Sequence, residues 1–181
     1  GGAGAAAADA GAGGMPPMAA SGMQLPRAML GKTGVSIPIV GLGTSRLGQR
    51  GGTPNQADFD NMLKVFGQVL DLGIEYVDTG ANYGRAEEAL GTVLKGRRDK
   101  VVIATKCGLW WDDARGSFFA DFDGRKVYRS LRPDTLRIEI ENSLKRLGVD
   151  CIDLYQTHWP SAPPDFTPIA DTMAALLGLK D

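Results

Sequence analysis

From residue 23 onward, short apolar runs rich in Val and Ile alternate with stretches whose apolar residues recur every three to four positions. The first run, Ser36 to Gly43 (SIPIVGLG), predicts a strand. Phe59, Met62, Leu63, Phe66, Val69 and Leu70 then follow at i, i+3, i+4 spacing and predict an amphipathic helix. Thr53, Pro54 and Gln56 resemble an N-cap, a first-turn proline and the N3 partner of a capping box, while Gly73 stands where a left-handed C′ residue belongs. The pattern repeats. Ile74 to Val77 (IEYV) predicts a second strand, and Ala86, Ala89, Leu90, Val93 and Leu94 a helix closed by Gly96. Val101 to Thr105 (VVIAT) predicts a third strand. After a long insertion, Pro133 opens a helix with Leu136, Ile140, Leu144 and Leu147 facing inward before Gly148. Cys151 to Tyr155 (CIDLY) predicts the fourth strand, and Thr167 and Pro168 start a fourth helix through Ile169, Met173, Leu176 and Leu177.

Four successive strand–helix units imply right-handed crossovers and a parallel sheet covered by helices, an α/β architecture. On pattern alone an open doubly wound sheet and a (β/α)8 barrel both stand, and the choice falls to where the polar residues sit. Composition narrows the function classes. Lys and Arg number 20 against 21 Asp and Glu, a net charge of −1, so no basic excess points to nucleic acid. Charges and glycines interrupt every hydrophobic stretch, so no membrane span is expected. Two cysteines, Cys107 and Cys151, and a single histidine, His158, speak against a disulfide framework or a Cys/His metal site. No metal is expected, and a reducing cytoplasm is the default compartment. Residues 1–22 hold 7 Gly and 9 Ala and read as a disordered leader, without the basic start and apolar centre of a secretory signal.

Polar residues capable of catalysis terminate three successive apolar runs: Asp78 after the second, Lys106 after the third, His158 just past the fourth. In a parallel sheet the carboxyl ends of the strands share one edge, and the loop carrying Tyr83 emerges there too. Each alone would read as a loop residue in water. An acid, a phenol, an amine and the chain's only histidine on one edge read as a site.

The segments LGKTGVSIPIVGLGT (30–44), YVDTGANYGRAEEALG (76–91), VVIATKCG (101–108), SLKRLGVDCIDLYQTHWP (143–160) and TPIADTMAALLGLK (167–180) resemble the aldo-keto reductases, in order and at family-like spacing. The resemblance runs from about residue 25 to the end and combines a DT-x-x-x-YG block, a lysine closing the next strand, and a DLYQTH block. It implies a (β/α)8 TIM barrel that uses a nicotinamide cofactor, usually NADPH, to reduce aldehydes and ketones. It also implies that Asp78, Tyr83, Lys106 and His158 are the catalytic residues. Hydride addition to a carbonyl puts negative charge on oxygen, so a proton donor must reach that oxygen while a second donor holds it. Tyr83 is the expected donor. A phenol titrates near ~10, and a neighbouring ammonium favours the phenolate; Lys106 is the expected ammonium, held by Asp78, and His158 the group that orients the carbonyl. By the same resemblance Gly43, Thr44 and Ser45, with Asp78, approach the nicotinamide end of the cofactor.

Other signals are weaker. Gly41-Leu42-Gly43-Thr44-Ser45-Arg46 lacks the third glycine of a dinucleotide turn, and Gly31-Lys32-Thr33 reads as a turn in an N-terminal hairpin on the barrel floor rather than a phosphate loop. Residues 107–132 form a long strand-to-helix loop on the catalytic face, where Trp110 and Trp111 read equally as substrate-lining residues or as rings that cement the loop onto the barrel rim; Trp159 beside His158 is the better substrate-lining candidate. A complete barrel takes ~250 residues, so 23–181 is expected to be the N-terminal half of one, about its first four strand–helix units. For such a fragment, weak or absent NADPH binding and self-association through unclosed strand edges are expected. Two other readings remain: a non-catalytic cofactor-sensing subunit similar to channel-associated β subunits, and an unrelated barrel lyase or isomerase.

Overall fold

A computed structural model describes residues 25–47, 55–122 and 124–180. The leader, Thr53 and Pro54 lie outside the described residues. β1 (Arg27–Met29) and β2 (Ser36–Pro38) form an antiparallel hairpin. Its turn is closed by the Thr33 hydroxyl, which donates to the Leu30 carbonyl at 2.7 Å. Arg27 pairs with Glu75 at 2.6 Å, so the hairpin sits beside the amino end of the second barrel strand, away from the catalytic edge.

The run Ser36 to Gly43 is therefore two strands rather than one. Only β3 (Leu42–Gly43) enters the parallel sheet. Pro38 has no N–H to continue a ladder, and at Gly41 the chain passes flush over Tyr76, whose ring a Cβ would approach to 2.5 Å. α1 (Gln56–Asp71) follows. Its N-cap is Asn55, not Thr53: the Asn55 side chain accepts from the Asp58 N–H, and the Asp58 carboxylate accepts from the Asn55 N–H.

β4 (Tyr76–Asp78), β5 (Val102–Cys107) and β9 (Leu154–Thr157) complete a four-stranded parallel sheet in the order β3-β4-β5-β9. Gly43, Asp78, Ala104 and Leu154 lie in one register row, and Lys106 faces Gln156 two residues further on. Side chains alternate between faces along a strand. Asp78, Ala104 and Lys106 thus share the inner face, while Val77 and Ile103 turn outward and are fully buried under the helices. β9 starts later than Cys151 for a local reason. The Asp153 carboxylate accepts the Ile103 N–H at 2.8 Å, so a side chain takes the place of a ladder carbonyl there.

The insertion is not an irregular loop. β6 (Leu109–Trp110), β7 (Ser117–Phe122) and β8 (Arg125–Arg129) form an antiparallel sheet with β8 in the centre. Three helices, α2 (Ala86–Val93), α3 (Pro133–Leu147) and α4 (Ile169–Leu177), complete the four units. α2 ends before Gly96, with Leu94 as its C-cap, and α3 ends at Gly148 in the left-handed conformation. Met62, Phe66 and Leu70 of α1 pack with Ala86, Ala89 and Leu90 of α2 and Leu147 of α3 over Val77 and Ile103. α4 behaves differently: β9 is the edge of the sheet, and Ile169, Met173 and Leu177 are 67%, 46% and 62% exposed. Among the described residues no helix is long and apolar enough to cross a membrane.

Candidate active site

Lys106 lies inside β5, two register positions beyond Ala104, on the inner face that Asp78 shares. Its ammonium donates to Asp78 Oδ1 at 2.5 Å and to the Thr79 carbonyl at 2.8 Å. The Thr79 N–H in turn donates to the Ala104 carbonyl, so the chain leaving β4 is tied to β5 before it turns. That turn brings Tyr83 back. Its N–H donates to the Gly80 carbonyl at 3.0 Å, and its ring lies directly against Gly80, where a Cβ would come within 3.1 Å. Tyr83 is 5% exposed, with the Lys106 ammonium 5.3 Å from its ring centroid.

His158 follows β9, and its N–H donates to the Cys107 carbonyl at 2.8 Å, so it is fixed to the end of the strand that carries Lys106. The Tyr83 hydroxyl and His158 Nε2 are 3.4 Å apart, and their rings meet edge to face at 5.6 Å and 87°. This separation is longer than a tight hydrogen bond, as is common before a substrate draws the groups together. The structure therefore brings Asp78, Lys106, Tyr83 and His158 to one place. Trp159 stacks on His158, 6.4 Å between centroids at 17°.

Trp110 and Trp111 make their polar and cation–π contacts within the insertion. Trp110 is 3% exposed, its indole N–H donates to Asp113 at 2.8 Å and the Arg115 guanidinium covers its ring. Trp111 lies under Arg125. Both rings line a small cleft with Ala81 of the loop that carries Tyr83 and with Glu139 and Arg146 of α3. Thr44 also departs from expectation: it is fully buried, its hydroxyl donates to Thr79 at 2.9 Å, and it joins β3 to β4 rather than presenting that hydroxyl to a ligand. Gly43 is different. It is exposed beside its register partner Asp78, and nothing stands within 4 Å of where its Cβ would be, which leaves room for a flat ring over the strand end. Ser45 is half-buried in the turn that follows.

Buried acids are the residues that sequence reading missed. Glu87 accepts from the Thr105 hydroxyl at 2.6 Å and from Arg146 at 2.7 Å. Glu139 accepts the Gly108 N–H at 2.9 Å, and burial pushes its carboxyl up to about 8 against the pull of the Gly108 and Leu109 N–H groups. Burial, with Glu139 second, also raises the Cys107 thiol, which suits a core residue and not a nucleophile. The signal was present. Both acids occupy the apolar stripe of their helix, Glu87 beside Ala86 and Leu90, Glu139 between Leu136 and Ser143.

The Aldo/keto reductase family model matches residues 39–181. The chain is 42% identical over 157 residues to the NADH-specific methylglyoxal reductase of Escherichia coli, covering 83% of this chain and 47% of that protein. It is 35% identical over 155 residues to an aldo-keto reductase of Bacillus subtilis, covering 82% and 41%. Among solved structures, the glycerol dehydrogenase of Gluconobacter oxydans superposes with a TM-score of 0.69 at 33% identity, over 85% of this chain and 44% of that one. The aldo-keto reductase of Bacillus halodurans in its holo form does so with 0.68 at 28%, over 87% and 47%. These neighbours are (β/α)8 barrels, and the chain spans about half the length of the curated relatives it matches. With four parallel strand–helix units, an acid, a lysine, a tyrosine and a histidine gathered at their carboxyl ends, and a family match over most of its length, the chain belongs to the aldo/keto reductase family.

Proposed function

We propose that the full-length protein reduces an aldehyde or ketone to the corresponding alcohol, with Tyr83 as the proton donor. The observation that supports this most directly is the 3.4 Å gap between the Tyr83 hydroxyl and His158 Nε2. A carbonyl oxygen set to one side of the pair, within reach of both, receives a hydrogen bond from each and lies where negative charge develops as the carbonyl carbon is reduced. When bound, a nicotinamide cofactor supplies the hydride; Gly43, Ser45 and Asp78 flank the open surface that would receive its ring. Tyr83 passes its proton to the substrate oxygen. The Lys106 ammonium, fixed by Asp78 and the Thr79 carbonyl, then lies beside the charge left on the phenolate. His158 fixes the direction of the carbonyl, and Trp159, stacked on the histidine, forms one wall for the substrate. No metal takes part in this scheme.

We take NADPH as the reductant, as the family resemblance implies, while one relative is named for NADH. Both cysteines are free thiols, Cys107 buried and Cys151 exposed, which suits a reducing cytoplasm. The test is loss of reduced-nicotinamide absorbance by the full-length protein when methylglyoxal or a simple aldehyde is added, with NADH and NADPH compared side by side. Carbonyl-dependent oxidation of either cofactor supports the reading. Turnover of a substrate without nicotinamide would replace it with a lyase or isomerase, and cofactor binding without turnover with a sensing subunit.

A further inference from the structure

Arg129 occupies the end of β8, and its backbone is held on both sides, opposite Leu109 in β6 and opposite Ser117 in β7. A bulge falls in β7 between Phe118 and Ala120, which adds Phe119 to the strand where it meets β8. Bulges of this kind re-aim a side chain beside a site. Phe119 thereby meets Trp159, with ring centroids 5.9 Å apart, and the Arg129 guanidinium fills the angle between them, 4.7 Å from Phe119 and 5.0 Å from Trp159. Trp159 is the residue stacked on His158.

The electrostatics of this arginine set it apart from its neighbours. Arg115 is spent on Asp113 and Asp134, and Arg132 on Asp134 and Asp165. Arg129 has no carboxylate partner among the described residues, and its Nε is buried with no hydrogen bond at all. A guanidinium brings five N–H donors in a planar fork that matches a carboxylate bidentately. A site that keeps a cation rigid, stacked on aromatic rings and without an acid is prepared for an anion from outside. One guanidinium matches a single carboxylate; a phosphate dianion would call on the neighbouring arginines, which are already neutralised.

Resting on the carbonyl-reduction reading, we propose that Arg129 orients the substrate, and that the preferred substrate is an aldehyde or ketone carrying a carboxylate several bonds from the reacting carbon. The spacing follows from the rings: the carbonyl lies at His158, and the carboxylate lies past Trp159 at the guanidinium. Arg129 acts as a specificity-determining residue, remote from the bond that changes.

The experiment compares 4-oxobutanoate with butanal, which share an aldehyde on a four-carbon chain and differ in the carboxylate. For the full-length protein, kcat/KM is measured for each probe in the wild type, Arg129→Met and Arg129→Lys. Methionine keeps much of the apolar stem between the rings; lysine keeps the charge but loses the fork. The ratio of kcat/KM for 4-oxobutanoate over butanal is expected to fall about tenfold or more in Arg129→Met, through KM, and to recover in part in Arg129→Lys. Added salt lowers the wild-type ratio and leaves that of Arg129→Met level. An unchanged ratio in Arg129→Met, or an equal fall in both variants, overturns the assignment. If neither probe is reduced by the wild type, the carbonyl-reduction reading fails, and tryptophan fluorescence decides the other question. Tighter quenching by 4-oxobutanoate in the wild type than in Arg129→Met supports the carboxylate site, and equal quenching refutes it.

Discussion

Glu139 carries a carboxyl into the protein at 4% exposure, with one oxygen on the Gly108 N–H and the other without a partner. The groups around it are mixed: Arg146 favours its ionised form, Asp112 opposes it, and its charge in turn disfavours ionisation of the neutral Cys107 thiol and Tyr155 phenol. Burial prevails, and the carboxyl rises from 4.5 to about 8. Between those values the folded chain binds more protons than the unfolded one, so this group's contribution is intact at acid pH and is lost as pH rises toward 8. Glu139→Gln keeps an acceptor for Gly108 and removes the ionisation. Denaturant unfolding from pH 5 to 8 is expected to show the wild type losing stability relative to the variant, by on the order of 1–3 kcal/mol. Parallel pH profiles would contradict this. At the same scale, Asp78, Lys106 and His158 were legible in the sequence because each ends or closely follows an apolar run, and Tyr83 because its loop leaves the same edge of the sheet. Arg129 was not, since a basic residue in an exposed-looking stretch reads as a solvated side chain until its strand partners are known.

At the scale of elements, α2 and α3 meet where α2 has no side chain. A Cβ on Gly91 would run into the Leu147 carbonyl, which is backbone and cannot swing aside. Alanine gains ~0.5–1 kcal/mol in an isolated helix, whereas forcing a methyl into a packed contact costs ~1–3 kcal/mol. The contact prevails, and Gly91→Ala is expected to lower Tm, measured by thermal unfolding followed by circular dichroism; a raised Tm would show that the helices separate freely. The helices themselves were readable from their 3.6-residue period. The insertion was not, although Asp123-Gly124 between two β-forming runs is a strong short-range sign of a hairpin. An ion pair and two hydrogen bonds make the insertion a fixed wall: Arg115 reaches Asp134 of α3 at 2.7 Å, and the Ser117 hydroxyl donates to the Ala162 carbonyl while accepting the Asp165 N–H. The division of Ser36 to Gly43 into two strands was half legible: Pro38, which cannot continue a ladder, stands in the sequence, whereas Tyr76 lying under Gly41 is a tertiary contact that no local pattern encodes.

For the whole molecule, parallel strands place their carboxyl ends on one edge whatever the sequence between them, which is why four side chains spread from residue 78 to residue 158 can meet. That topology was legible from the strand–helix alternation and the location of its polar punctuation. The side to which each aromatic turns was not, because Trp110 and Trp111 take their direction from Asp113, Arg115 and Arg125, all within the insertion. The central claim is that Tyr83 gives the proton to the reduced oxygen, and Tyr83→Phe isolates it, since the ring stays and only the hydroxyl leaves. In the full-length protein, kcat for carbonyl reduction is measured beside the Kd of the reduced nicotinamide. A loss of about 10²–10⁴-fold in kcat with Kd little changed is the expected result; near-normal turnover by Tyr83→Phe would contradict it.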